Sequence, residues 1–234
     1  MSDTFFTSSP HWGVWIILYF FVGGIAGGAF FLTSLLHLFG READRPLVRL
    51  GYYLAFAGAV LSGLLLTIDL PRPERFWHML IQSNTGRPMF KAWVPMSVGV
   101  WGLLLFGLFA FLAALGALGE DRPDVRLLRS APARALRRPV PSAVIAVLGS
   151  CFGLFLAGYT GVLLAVTNRP IWADSTLLGV LFLVSGASTG ASALILLGVW
   201  RRSAHQASLD WLAGFDRGAL MLELLVLVLF LASL

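Results

Sequence analysis

A few side chains in this sequence are of types that hold polar ligands or move protons, yet lie within or at the edge of long apolar runs. They are Tyr19, Asp69, Tyr159 and Glu223. Tyr159 is followed by Thr160, and Gly158 and Gly161 bracket the pair inside the run CFGLFLAGYTGVLLAVTNRPIW. Glycines at that spacing admit a neighbouring helix or a flat ligand close to the backbone. The run stops at Asn168, Arg169, Pro170 and Trp172, where proline ends a helix and tryptophan favours a membrane interface. The phenol then stands about 12 Å below that boundary, within reach of a polar ligand entering from one side. A hydrogen bond to a neighbouring carbonyl would account for the same residue.

Tyr19 falls roughly 10 Å below the same face, counted along the first apolar run. Asp69 ends the second run, at a helix C-terminus whose dipole disfavours a carboxylate. It therefore needs a cationic partner, Arg72 or Arg75 being near in sequence, or it holds its proton more tightly. Either condition suits a group that exchanges protons with a ligand. Glu223 lies within MLELLVLVLFL, about 13 Å from the start of its segment, and intramembrane carboxylates usually face a cavity or a partner. Ser188 and Thr189, with Ser185, Gly186 and Gly190, give the fifth segment a small hydroxylated face, suited to packing or to a hydrated path.

The elements that must hold these groups are membrane helices. Of 234 residues, 58% are hydrophobic and 12% charged, with a mean hydropathy of +0.82, so the buried core is helix against helix in lipid. The sequence predicts an all-α, polytopic bundle of six spans near 12–39, 47–70, 92–118, 140–167, 174–200 and 214–234. It forms a single membrane domain, in which 1–139 holds three spans, the outer loop 71–91 and the inner linker 119–139, and 140–234 holds the other three. The first apolar run is expected to remain as a signal anchor. With the amino terminus outside, twelve Lys and Arg fall on the inner side and five on the outer, so the positive-inside rule favours that orientation. The same rule explains a net charge of +5 without nucleic acid as partner. The linker 119–139, with six arginines, reads as a solvated or headgroup-bound connection. The outer loop is cationic against that trend and rich in aromatics, and RPERFWHMLIQ fits a short amphipathic helix at the interface. A partner subunit is the expected reason.

Several chemistries are excluded. Cys151 is the only cysteine, so no iron–sulfur cluster and no internal disulfide is carried by this chain. His11, His37, His78 and His205 all fall near segment ends, which is not the mid-helix pairing of a membrane haem. No metal-ligand spacing, Walker sequence or nucleophile elbow is present.

The motifs WIILYFFVGGIAGGAFFLTSLLH, DLPRPERFWHML, GRPMFKAW, GYTGVLLAVTNRPIW and LFLVSGASTGA occur in one order from residue 12 to about 225. In that order they resemble the NrfD and polysulfide-reductase (PsrC-like) membrane subunits. The resemblance implies a haem-free subunit that exchanges electrons between the quinone pool, menaquinone or ubiquinone, and a ferredoxin-like iron–sulfur partner docked on loop 71–91. A molybdopterin or multihaem cytochrome subunit is implied beyond that partner, and a prokaryotic inner membrane around it. By motif, Tyr159, Asp69 and Tyr19 fall at the quinone headgroup, with Asp69 and Tyr159 catalytic and His78 and Arg72 in support. Glu223, Ser188 and Thr189 form a candidate proton path from the inner side. A non-catalytic anchor of the same complex, and more remotely a transporter, are the competing expectations. Three features depart from the family pattern: six spans rather than eight or more, Pro71 in place of a glycine, and Lys91 before Ala92 and Trp93.

Overall fold

A computed structural model describes residues 13–167, 172–173, 175–202 and 204–233. His11, and Arg169 and Pro170 in the loop before Trp172, lie outside the described residues. Among the described residues six long helices form: α1 Val14–Phe39, α2 Arg45–Asp69, α3 Pro95–Asp121, α5 Pro139–Ala165, α6 Leu177–Trp200 and α7 Gln206–Ala232. The short α4, Ala131–Ala135, sits between α3 and α5. Among the same residues no strand forms, only an isolated bridge between Ile81 and Pro88.

Proline sets three of the starts. Pro46, Pro95 and Pro139 each occupy the first turn of their helix, where a missing N–H costs nothing and a fixed φ helps. This is why the third span begins at residue 95 rather than 92. Five helices (α1, α2, α3, α5 and α6) are long and apolar enough to cross a bilayer. The sixth expected span is a helix of 27 residues that begins at Gln206, not 214. Asp210, Asp216, Arg217 and Glu223 interrupt its apolar run, so it does not stand with the other five.

The centre of the bundle is α1, which packs on α2, α5 and α6, while α3 closes against α2 and α5 and α7 lies chiefly on α6. Helices from both halves of the sequence thus share one core. Close approach comes from glycine: a Cβ on Gly27 would overlap the backbone of Gly153 on α5, and one on Gly28 would overlap that of Gly186 on α6. Lower down, Phe30 packs edge-on to Phe106 at 5.7 Å and tilted against Tyr52 at 5.3 Å, all fully or nearly buried.

Two connections carry structure of their own. The short helix expected in the loop after α2 forms as a 3-10 helix over Pro73–Met79, and the loop then reverses at Gly86, whose φ is +65°. The Met89 carbonyl ties that loop to α3, accepting from Trp101 Nε1 at 3.1 Å and Ser97 Oγ at 3.2 Å. The inner linker is not a free tether either. Leu128 is buried, and Arg137 donates to the carbonyls of Gly119 at 2.8 Å and Leu128 at 3.2 Å, so that it caps one acceptor in the last turn of α3 and ties the linker to it.

Candidate functional site

The up-and-down order of the helices brings the start of α1, the end of α2, the start of α3 and the end of α5 to one end of the bundle. That end gathers Tyr19, Asp69 and Tyr159. Tyr19 is buried on α1 with 2% of its surface exposed, and its phenol is within electrostatic reach of that of Tyr159. Tyr159 lies over Gly99 of α3, where any Cβ would overlap its ring, and stacks on Phe155 at 5.5 Å. Its hydroxyl donates to the carbonyl of Pro95 at 2.7 Å. The neighbouring carbonyl weighed from the sequence is therefore real. The glycines beside Tyr159 serve helix packing, since a Cβ on Gly161 would overlap the Leu178 backbone of α6.

Asp69 is half-buried, and among the described residues it forms no ion pair with Arg72 or Arg75. A Cβ on Gly13 would lie 3.1 Å from its Oδ1, so the carboxylate sits beside the N-cap residue of α1. The positive end of that helix takes the place of the expected cation. Ser62 on α2 is a site residue that sequence reading missed. It is fully buried beside Gly23 and Tyr19, and its hydroxyl has no partner among the described residues. A hydroxyl so placed calls for water or a ligand. Its signal is weak, a lone serine two turns before Asp69. Arg72 is exposed and His78 half-buried, its ring against Trp77 at 3.9 Å between centroids. Both belong to the loop rather than to the bundle. Around them Trp93 is 80% exposed and Phe90 56%.

The candidate proton path is arranged differently from its expected set. Ser188 donates to Asp216 Oδ1 at 2.6 Å, and Ser192 to Asp216 Oδ2 at 3.2 Å. Asp216, not Glu223, faces the hydroxylated stripe. The spacing of two serines four residues apart on α6 was the available clue. Thr189 bonds back to the Ser185 carbonyl at 2.8 Å. Glu223 is half-buried on α7 without a hydrogen bond or ion pair among the described residues.

The opposite, arginine-rich end holds a cavity of about 370 Å³ between α1, α2, α3 and α5. His37 Nδ1 and Tyr52 Oη meet at its inner wall, 3.0 Å apart. Arg49 Nε pairs with Asp121 at 2.7 Å, and Tyr53 donates to the same carboxylate at 2.7 Å. Among the described residues no group of three His, Cys, Asp or Glu could hold a metal ion.

A family model described as polysulphide reductase, NrfD, matches residues 3–234. The sequence is 27% identical to protein NrfD of Escherichia coli over 246 aligned residues, covering all of this chain and 74% of that protein. It is 26% identical to a polysulfide reductase chain of Wolinella succinogenes, covering 93% of the present sequence and 67% of that protein. Over 106 residues it is 28% identical to a selenate reductase subunit of Mesobacillus selenatarsenatis, 45% of the present sequence and 22% of that protein. The match thus spans about a fifth of the length of that last relative.

Proposed function

The chain belongs to the polysulphide reductase NrfD family, and we propose that it is the quinone-interacting membrane subunit of a respiratory reductase complex. The observation that carries this reading is the gathering of Tyr19, Tyr159, Asp69 and the unpartnered Ser62 hydroxyl at one end of the bundle, under an exposed aromatic and cationic loop. A quinone, menaquinone or ubiquinone, supplies the redox chemistry; the protein supplies position and protons. Tyr19 and Tyr159 are the donors to the quinone oxygens, and Ser62 holds water or an oxygen beside Tyr19. Tyr159 must turn its proton from Pro95 to do so, while its oxygen lone pair is available where it stands. Asp69, half-exposed at the mouth, relays protons between headgroup and solvent. Arg72 and His78 line the approach. A ferredoxin-like iron–sulfur subunit docks on loop 71–91 and exchanges the electrons, with a molybdopterin or multihaem cytochrome subunit beyond it. Neither haem nor cluster belongs to this chain. In this reading the arginine-rich end faces the cytoplasm of a prokaryote and the amino terminus the outside.

One observation favours the alternative, a non-catalytic anchor: the Tyr159 hydroxyl is already satisfied inside the protein. The test is quinone-dependent turnover of the purified complex in wild type, Tyr159→Phe and Asp69→Asn, with subunit and iron content measured on the same samples. We expect Asp69→Asn to lower turnover about a hundredfold and Tyr159→Phe about tenfold, with assembly intact. Undiminished turnover in both variants would establish the anchor reading.

A further inference from the structure

The cavity at the arginine-rich end has no part in the reading above. Its charged lining is Arg41, Arg45, Arg49 and Arg137 against Glu42 and Glu120, and with Asp121 paired to Arg49 one positive charge is in excess. The ion pairs do not consume those guanidinium groups. Arg45 turns Nε and one terminal nitrogen to Glu42, at 2.6 and 2.9 Å. Arg49 turns Nε to Asp121 at 2.7 Å. The Nη1 atoms of Arg45 and Arg49 each stand 3.7 Å from Glu120, beyond hydrogen-bond length. Arg41 is exposed, and its side chain makes no hydrogen bond or ion pair among the described residues. Donor groups from three arginines therefore converge on one opening with bonds left to give.

The rest of the lining is apolar. Leu36, Val48, Leu112, Leu136 and Ile145 continue the wall into the bundle. The site lies where α1 and α3 end and α2 and α5 begin, the level at which membrane helices meet water. A cavity of this size is within the range of small-ligand sites, about 300–1,000 Å³. A ring of arginines above an apolar wall is complementary to a phosphate group carrying acyl tails.

We propose that this cavity binds the phosphate of an anionic lipid headgroup, with Arg41 and the Nη1 atoms of Arg45 and Arg49, which Glu120 holds only at 3.7 Å, as donors and the leucine-lined wall against the acyl tails. A free phosphate ion satisfies the same donors but leaves the apolar wall unused. Glu120 opposes the ligand and sets its affinity.

The full-length protein, purified in a neutral detergent, is titrated in parallel with phosphatidylglycerol, with phosphatidylcholine of the same acyl composition and with inorganic phosphate, and bound lipid is counted by native mass spectrometry. The expected result is selective retention of phosphatidylglycerol. Arg41→Gln lowers the phosphatidylglycerol-to-phosphatidylcholine ratio about fivefold, the worth of one arginine beside an anionic surface, and Glu120→Gln raises it. Because these two variants move in opposite directions, a general loss of folding cannot imitate the pattern. Equal retention of both lipids, or an unchanged ratio in both variants, would overturn the proposal. Displacement of phosphatidylglycerol by low-millimolar inorganic phosphate would overturn the lipid assignment in favour of a soluble anion.

Discussion

At the scale of single residues, polar groups at the candidate site are answered across helices. Tyr159 illustrates this: its neighbour Gly99 exists to make room for the ring, and its proton goes to Pro95 on the same helix as that glycine. Gly99→Ala drives a methyl into that ring. We expect it to destabilise the protein by about 1–3 kcal/mol, read as a lower midpoint when heated detergent samples are scored by size-exclusion chromatography. If the phenol also serves a quinone, turnover in the folded fraction falls with it. That Tyr19, Tyr159 and Asp69 share one end was legible from depth counting along the spans. What each one touches was not. A carbonyl acceptor such as that of Pro95 leaves no mark in a sequence, and the acid at the end of α2 is answered by the start of α1, not by the arginines nearby in sequence. Ser62 and Asp216 were missed because each matters only through a neighbour on another helix.

At the scale of helices, glycine decides which faces meet. Gly23, Gly24, Gly27 and Gly28 form two overlapping small-xxx-small pairs in the sequence, a spacing that marks a contact face, and each pair has a partner: Gly27 lies against Gly153, while Gly24 and Gly28 lie against Gly186. Gly28→Val places two methyls in the space held by the α6 backbone and should cost at least about 3 kcal/mol, because backbone cannot step aside as a flexible side chain does. Gly107→Val on α3 has nothing within 4 Å of its added Cβ, so its stability should stay within about 0.5 kcal/mol of wild type. A Gly28→Val protein as stable as Gly107→Val would mean that α1 and α6 do not pack as described. The start of α7 was the least legible boundary. Its first half mixes Asp210, Asp216 and Arg217 with the buried Leu212, a pattern of an amphipathic helix, whereas the expected segment was sought by continuous apolarity.

At the scale of the whole molecule, α7 is the long helix held by the fewest neighbours, and a buried bond fixes its beginning. The hydroxyl of Ser208 donates to Asp44 in the turn between α1 and α2, and Asp44 accepts from the Arg41 backbone as well, at 2.6 Å. Ser208→Ala leaves one oxygen of a 9%-exposed carboxylate without a partner. The cost should be about 1.5–3 kcal/mol, and limited proteolysis should cut faster between α6 and α7 if that tie is what holds them. The arginines at this end were read from the sequence as a marker of orientation and, in the linker 119–139, as solvated or headgroup-bound; charge counting cannot reveal that several of them line one opening. The central place of α1 has a further consequence, one of time. This helix leaves the ribosome ahead of its partners α5 and α6, which follow it by up to 161 residues, from Phe39 to Trp200. At about 5–20 residues per second that is a delay on the order of ten to thirty seconds. Throughout it, two bare glycine faces stand exposed on the nascent protein, where the nearest competitor for them is the same face on another newborn copy.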